Sequence, residues 1–224
     1  MSQPEPTMRG YRITLRALTP VVRGWGRLEV SGLEHLPASG PVLLAGNHDS
    51  YWDPLAIGFA ALGRRQIRAL AKAELWKVPG LGPILDSMGQ IPIRRGAGDM
   101  QALDRAIAEL RAGACIGVFP EGTRSLGRDL RARAGLGRLA AAVPEAVVVA
   151  CTVQGTTDIP RFPRRPQVRV RFFSPQAIAA ADGDARHIEL PARLLEEIRA
   201  EVPRDPAGRR RKAARRARAA AGAD

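Results

Sequence analysis

Seven short apolar runs, each closed by glycine, proline or charge, constrain this chain more than any other feature: Arg27 to Val30, Val42 to Ala45, Ile67 to Ala71, Gln90 to Ile93, Cys115 to Phe119, Val147 to Val153 and Val168 to Phe172. Runs of that length between such punctuation read as strands. Helical stretches lie between most of them. The clearest is Asp99 to Arg111, where Met100, Leu103, Ile107 and Leu110 recur on one face, Asp99 caps the start and Gly113 the end. Residues 183–202 add a terminal helix on Ile188, Leu194, Leu195 and Ile198. Strands alternating with helices over 224 residues, 45% of them apolar, predict one α/β domain. Its central sheet should be mostly parallel or mixed, with helices on both sides.

Cys115 and Cys151 both sit inside apolar runs and read as small buried hydrophobes, so neither a disulfide framework nor a cysteine-based zinc site is expected. No apolar stretch approaches the roughly 18 to 20 uninterrupted residues of a spanning helix. Arginines interrupt the segment where a signal peptide would carry its apolar core. The expectation is an intracellular protein without a transmembrane helix.

The formal net charge is +13, and its placement matters more than its size. Residues 1–27 hold five arginines against Glu5, and residues 203–224 hold eight Lys or Arg against Asp205 and Asp224, which leaves +3 for residues 28–202. The chain therefore divides into a basic start (1–27), a nearly balanced body (28–202) and a basic tail (203–224). On a helical wheel, Tyr11, Leu15, Leu18, Val22 and Trp25 fall within about 80°, and Arg9, Arg12, Arg16, Arg23 and Arg27 within about 60° on the opposite side. That pattern predicts an amphipathic basic helix, broken or kinked at Pro20. Its apolar stripe can pack on its own domain or enter a membrane interface, and the arginine face favours an anionic leaflet in either case. The tail, with Arg209, Arg210, Arg211, Lys212, Arg215, Arg216 and Arg218 set among alanines, reads as a solvated tail or as a segment adsorbing to an anionic surface. It lacks interleaved aromatics and no reading module accompanies it, so nucleic acid is not an expected partner.

Two polar segments directly follow apolar strands. Asn47-His48-Asp49-Ser50-Tyr51-Trp52-Asp53 follows the second run, and Phe119-Pro120-Glu121-Gly122-Thr123-Arg124-Ser125 closes the fifth. Active sites in open α/β sheets collect at such exits, and neighbouring parallel strands would bring the two segments to one edge. An imidazole can take a proton from a hydroxyl while a nearby carboxylate fixes its tautomer and stabilises the imidazolium. His-x4-Asp is also a common structural hydrogen bond, so spacing alone does not decide its use. Ser50 is too close in sequence to His48 to be placed as a nucleophile and no Gly-x-Ser-x-Gly elbow is present, which suits direct attack by an incoming hydroxyl without an acyl-enzyme. The second segment offers a bend, a permissive glycine, hydroxyls and a guanidinium, parts suited to an anionic or polyhydroxyl ligand and equally to a plain turn. A third strand ends in Arg94-Arg95, of which alternation lets only one face a site. With three histidines and no HExxH, EF-hand or paired His-carboxylate helix, no metal ligand set is expected.

In order and spacing, Asn47 to Asp53, Gly89 to Arg95 and Phe119 to Ser125 resemble three motif blocks of the glycerolipid acyltransferases, in particular the lysophosphatidic acid acyltransferase group. Lys72 to Gly82 and Gly32 to Pro37 look like that family too, and the resemblance covers roughly residues 25 to 180. It implies His48 as the base that deprotonates the acceptor hydroxyl and Asp53 as its orienting partner. It implies Arg95 on the acceptor phosphate, with Asn47, Ser50, Glu121, Gly122, Thr123 and Arg124 shaping the acceptor site. The donor it implies is an acyl thioester, acyl-CoA or acyl-carrier protein, acting as co-substrate with no cofactor. Partners would be a lysophospholipid acceptor and an anionic membrane surface, with the protein peripheral or monotopic on the cytoplasmic face. Two positions depart from the pattern: Arg94 stands where the family often has Asp or a smaller polar residue, and Val147 to Gly155 lacks the proline of the fourth block. A non-catalytic basic binding protein is the rival from a different class, and intact His48, Asp53 and Glu121 speak against it.

Overall fold

The computed structural model describes residues 7–94, 99–161, 163, 165–178 and 186–202, and all seven apolar runs form strands of one sheet. These are β1 (Glu29–Ser31), β2 (Val42–Gly46), β3 (Ile67–Lys72), β4 (Ile91–Ile93), β5 (Cys115–Val118), β6 (Val147–Gln154) and β7 (Arg169–Phe173), in the order β1-β7-β6-β2-β5-β3-β4. Strands β6, β2, β5, β3 and β4 run parallel. Strand β7 is antiparallel to β6 and β1 is parallel to β7, so the sheet is mixed.

Six α-helices connect or cover these strands among the described residues: α1 (Arg9–Ala17), α2 (Asp53–Ala61), α3 (Leu81–Ser87), α4 (Met100–Arg111), α5 (Gly135–Ala142) and α6 (Arg186–Glu201). Alternation along β2 sets the two layers. Leu43 and Ala45 face the core formed with α4, α5 and α6, whereas Val42 and Leu44 face the core that holds Ala56, Ile57 and Ala60 of α2. Both cysteines are buried in the second layer, and neither forms a disulfide. Asp99 caps α4 by accepting from the Ala102 N–H, and Gly113, at φ 93°, takes the left-handed conformation just past that helix. Met100 and Ile188 depart from the expected faces and are exposed. Both stand in the first turn of their helices, ahead of Leu103 and Leu190, the residues that reach the core.

The apolar stripe of the N-terminal helix is used inside the protein. Tyr11, Leu15 and Val22 are buried against Phe59 and Met88, and the chain breaks after α1 into a wider π-helical turn over Pro20–Trp25. Burying three such side chains contributes about 1.5–3 kcal/mol each. Of the two uses open to that stripe, it packs on its own domain. Arg9, Arg12, Arg16 and Arg23 remain exposed on the outer side. Residues 203–224, the basic tail, lie outside the described residues. No helix among the described residues is long and apolar enough to cross a membrane.

Candidate active site

Strand register brings the two polar segments to the same level. Ala45 of β2 pairs with Val118 of the parallel neighbour β5, and three residues beyond each come His48 and Glu121. On the other flank, Asn47 clasps β6: its Nδ2 donates to the Val153 carbonyl at 2.8 Å, and its Oδ1 accepts from the Val153 N–H at 2.8 Å. The first segment is thereby anchored to both neighbours of the central strand.

His48 is buried, and its Nδ1 lies 3.0 Å from Oδ2 of the fully buried Asp53, the first residue of α2. The same oxygen accepts from the backbone N–H of Asp49 at 2.6 Å and of Ser50 at 2.7 Å. Its partner oxygen accepts from the Thr156 hydroxyl. Four donors and the start of a helix compensate the desolvation of this carboxylate. A carboxylate on Nδ1 places the ring proton there and leaves the Nε2 lone pair as the basic site. Phe119 stacks on the imidazole at 4.2 Å between centroids and 14° between planes, which fixes the remaining rotation of the ring.

A second polar layer holds this loop from below. Arg199 of α6, only 3% exposed in its side chain, donates from Nη1 to Asp49 Oδ2 at 2.8 Å. Its Nη2 donates to Asp49 Oδ1 at 2.9 Å and to Glu121 Oε1 at 2.7 Å, and its Nε reaches Glu121 Oε1 at 3.0 Å. The other Glu121 oxygen accepts the backbone N–H of His48 at 2.9 Å. Ser125 completes the clasp, its N–H donating to the His48 carbonyl at 2.7 Å and its hydroxyl to Asp49. Burial pushes the Asp49 carboxyl up, but the Arg199 guanidinium, Ser125 and Asn47 together hold it below its ordinary value. For Glu121 burial wins over Arg199 and the carboxyl is raised. Burial pulls Arg199 down, and the two carboxylates outweigh it, so the guanidinium sits above its ordinary value.

The geometry distributes the expected residues unevenly. His48 and Asp53 meet. Asn47, Ser50 and Glu121 spend their polar atoms on protein partners, since Ser50 Oγ donates to the Thr156 carbonyl at 3.3 Å and accepts from the Trp52 N–H at 3.2 Å. They hold the loop. Gly122 closes a turn in which its N–H reaches the Phe119 carbonyl at 2.9 Å. Its φ of 66° and the Arg133 side chain, 2.9 Å from where a Cβ would stand, both favour glycine. Gly122, Thr123 and Arg124 are partly exposed at the rim, with the Arg124 guanidinium 3.6 Å over the Tyr51 ring. Arg95 lies outside the described residues. Its neighbour Arg94 is exposed and pairs with Asp99 at 3.5 Å, at the end of edge strand β4, about 14 Å from β2 by ordinary strand spacing. Asp49, Arg199, Thr156 and the Phe119 ring are site components that the reading of the sequence did not assign. Among the described residues, no three His, Cys, Asp or Glu are placed to hold a metal ion.

An imidazole with Nδ1 tied to a buried carboxylate, at the strand exits of an α/β sheet, is chemically able to take a proton at Nε2. The chain belongs to the acyltransferase family: a family model described as Acyltransferase matches residues 27–160. Over 107 residues it is 36% identical to the 1-acyl-sn-glycerol-3-phosphate acyltransferase of Borreliella burgdorferi, covering 47% of this chain and 42% of that one. The protein of the same name from Bacillus subtilis is 29% identical over 115 residues, 51% of this chain and 57% of that one. A lyso-ornithine lipid O-acyltransferase of Pseudomonas aeruginosa is 37% identical over 109 residues, 48% and 40% of the two chains. The chain thus spans about half the length of the curated relatives it matches. The fold is that of the 1-acyl-sn-glycerophosphate (LPA) acyltransferase PlsC from Thermotoga maritima, with a TM-score of 0.57 at 20% identity, covering 88% of this chain and 85% of that one.

Proposed function

We propose that this protein moves a fatty acyl group from a thioester, acyl-CoA or acyl-carrier protein, to the free hydroxyl of lysophosphatidic acid, giving phosphatidic acid. The observation that carries the reading is the His48–Asp53 bond at Nδ1, with no partner on Nε2 among the described residues. Nε2 takes the hydroxyl proton as the acceptor oxygen bonds to the thioester carbonyl carbon. The tetrahedral intermediate then collapses, the carbon–sulfur bond breaks, and the imidazolium returns its proton to the leaving thiolate. Asp53 stays ionised and stabilises the imidazolium while it exists. Ser50, engaged at both its donor and its acceptor, supports direct transfer over an acyl-enzyme. The donor carbonyl is already activated, so deprotonation and oxyanion stabilisation are the remaining tasks.

Acceptor and product are anionic lipids, and the outward Arg9, Arg12, Arg16 and Arg23 suit a peripheral approach to an anionic membrane surface by charge. A phosphate-free lysolipid acceptor is the second reading, favoured by the likeness to the Pseudomonas lyso-ornithine lipid enzyme. Assays of the purified protein across a panel of lysolipids with a labelled acyl thioester separate the two. His48→Ala should abolish transfer with circular dichroism unchanged. Substantial residual turnover in that variant overturns the mechanism.

A further inference from the structure

Two arginines flank the His48 loop, and their donors are committed differently. Arg199 is buried with its nitrogens bonded to Asp49 and Glu121. Arg124 is partly exposed at the rim and makes no hydrogen bond or ion pair with a described residue; its contact is the face of Tyr51, 3.6 Å from the guanidinium carbon to the ring centroid. Tyr51 is 68% exposed, an unusual position for an aromatic side chain that no core requires.

Both members of this pair stand on rigid backbone. Tyr51 follows Asp49 and Ser50, whose N–H groups are held by Asp53, and precedes Trp52, whose N–H is held by Ser50. Arg124 precedes Ser125, which is bonded to the His48 carbonyl through its N–H and to Asp49 through its hydroxyl. A ring on one fixed segment therefore carries a guanidinium on the other. The chemistry of the support matters. A carboxylate would hold Arg124 as firmly, but it would consume the donors and compete with an incoming anion. An aromatic face attracts the cation through its quadrupole and leaves the guanidinium edge, with its five N–H donors, open to a phosphate in the guanidinium plane.

We infer that Tyr51 is a positioning residue that holds Arg124 flat at the mouth of the site, so that Arg124 grips the phosphate of the acceptor. This rests on the proposed phosphate-bearing acceptor. The pair thereby sets the preference for phosphate over neutral head groups, through affinity and not through the proton transfer at His48.

The test compares Tyr51→Leu, which keeps apolar bulk and loses the π face, with Tyr51→Phe, which keeps the face and loses the hydroxyl. Both are assayed on lysophosphatidic acid and on a phosphate-free monoacylglycerol. Wild-type turnover of lysophosphatidic acid is read first: its absence fails the proposed function and this inference with it. With turnover present, a partly exposed cation–π contact is worth about a two- to fivefold rise in KM for lysophosphatidic acid in Tyr51→Leu. The expected kcat stays within about twofold, the monoacylglycerol KM does not move, and Tyr51→Phe restores the wild-type KM. A Tyr51→Phe variant as impaired as Tyr51→Leu, an unchanged KM in Tyr51→Leu, or equal losses on both acceptors would overturn the role. So would a Tyr51→Leu effect that persists undiminished in an Arg124→Gln background, where the cation is already gone.

Discussion

Replacing Arg199 with methionine keeps an unbranched side chain of similar reach and deletes the guanidinium. In the native protein one nitrogen of Arg199 bonds both Asp49 and Glu121, so its removal leaves the buried Glu121 carboxylate and the partly buried Asp49 carboxylate facing each other without a counter-charge. Breaking a buried ion pair from one side costs about 3–5 kcal/mol, because the surviving charge keeps its desolvation penalty. For a chain of this size that corresponds to a fall in melting temperature of about 6–20 °C. Activity falls with stability, since Glu121 holds the His48 N–H and Asp49 shares the Asp53-bound turn. The pH dependence gives the reasoning its sharpest check. Burial already raises Glu121 and Arg199 opposes it, so the variant pushes the folded Glu121 carboxyl further above its unfolded value near 4. An acid raised in the folded state binds its proton there first, so stability returns as the pH falls through the folded value toward the unfolded one. The gap between wild type and Arg199→Met should be widest at pH 7.5 and narrow on acidification toward pH 5, as read by urea denaturation at each pH. A gap below about 1 kcal/mol at pH 7.5, or one that does not change with pH, refutes the account.

Asp49 carries the opposite sign. Its folded value is depressed because the Arg199, Ser125 and Asn47 bonds outweigh burial, so its stabilisation is present above the unfolded value near 3.9 and is lost as the pH falls through the folded one. Asp49→Asn should therefore lose about 1–3 kcal/mol at pH 7 in urea denaturation, with the deficit shrinking below about pH 4. At the N-terminus, joint replacement of Arg9, Arg12, Arg16 and Arg23 with glutamine should release the protein from anionic vesicles in sedimentation, at roughly 1 kcal/mol per arginine. Because the apolar stripe beside them is buried in the domain, wild-type binding should also fall steeply between 0.1 and 0.5 M salt as an order of magnitude for screening; salt-insensitive binding would point to apolar insertion instead.

The sheet was legible because its signals are local. Each strand is a run closed by its own punctuation, and the α4 cap is written in Asp99 three residues before the N–H it accepts. The meeting of His48 with Glu121 followed from one topological assumption, parallel neighbours, which β2 and β5 satisfy in register. Ambiguity remained where one pattern serves two environments. The wheel of α1 has the same stripe whether it meets Phe59 and Met88 or lipid, and only the packed structure shows which surface takes it. Arg199 was missed for a different reason. Its partners lie 150 and 78 residues away, and a single arginine in a helix ordinarily reads as a solvated charge. Yet it stands one turn after Leu195, three residues before Val202 and beside Ile198, all buried, so the helical period places a cation inside the apolar stripe. An arginine there stays ionised, and its desolvation calls for an anion beside it. The two polar segments at the strand exits hold three carboxylates, Asp49, Asp53 and Glu121, and one of these is needed for the imidazole. A misplaced cation on the last helix and two further anions at the sheet edge, beyond the one the imidazole needs, are one observation seen from both ends, and it is by that pairing that α6 becomes part of the site.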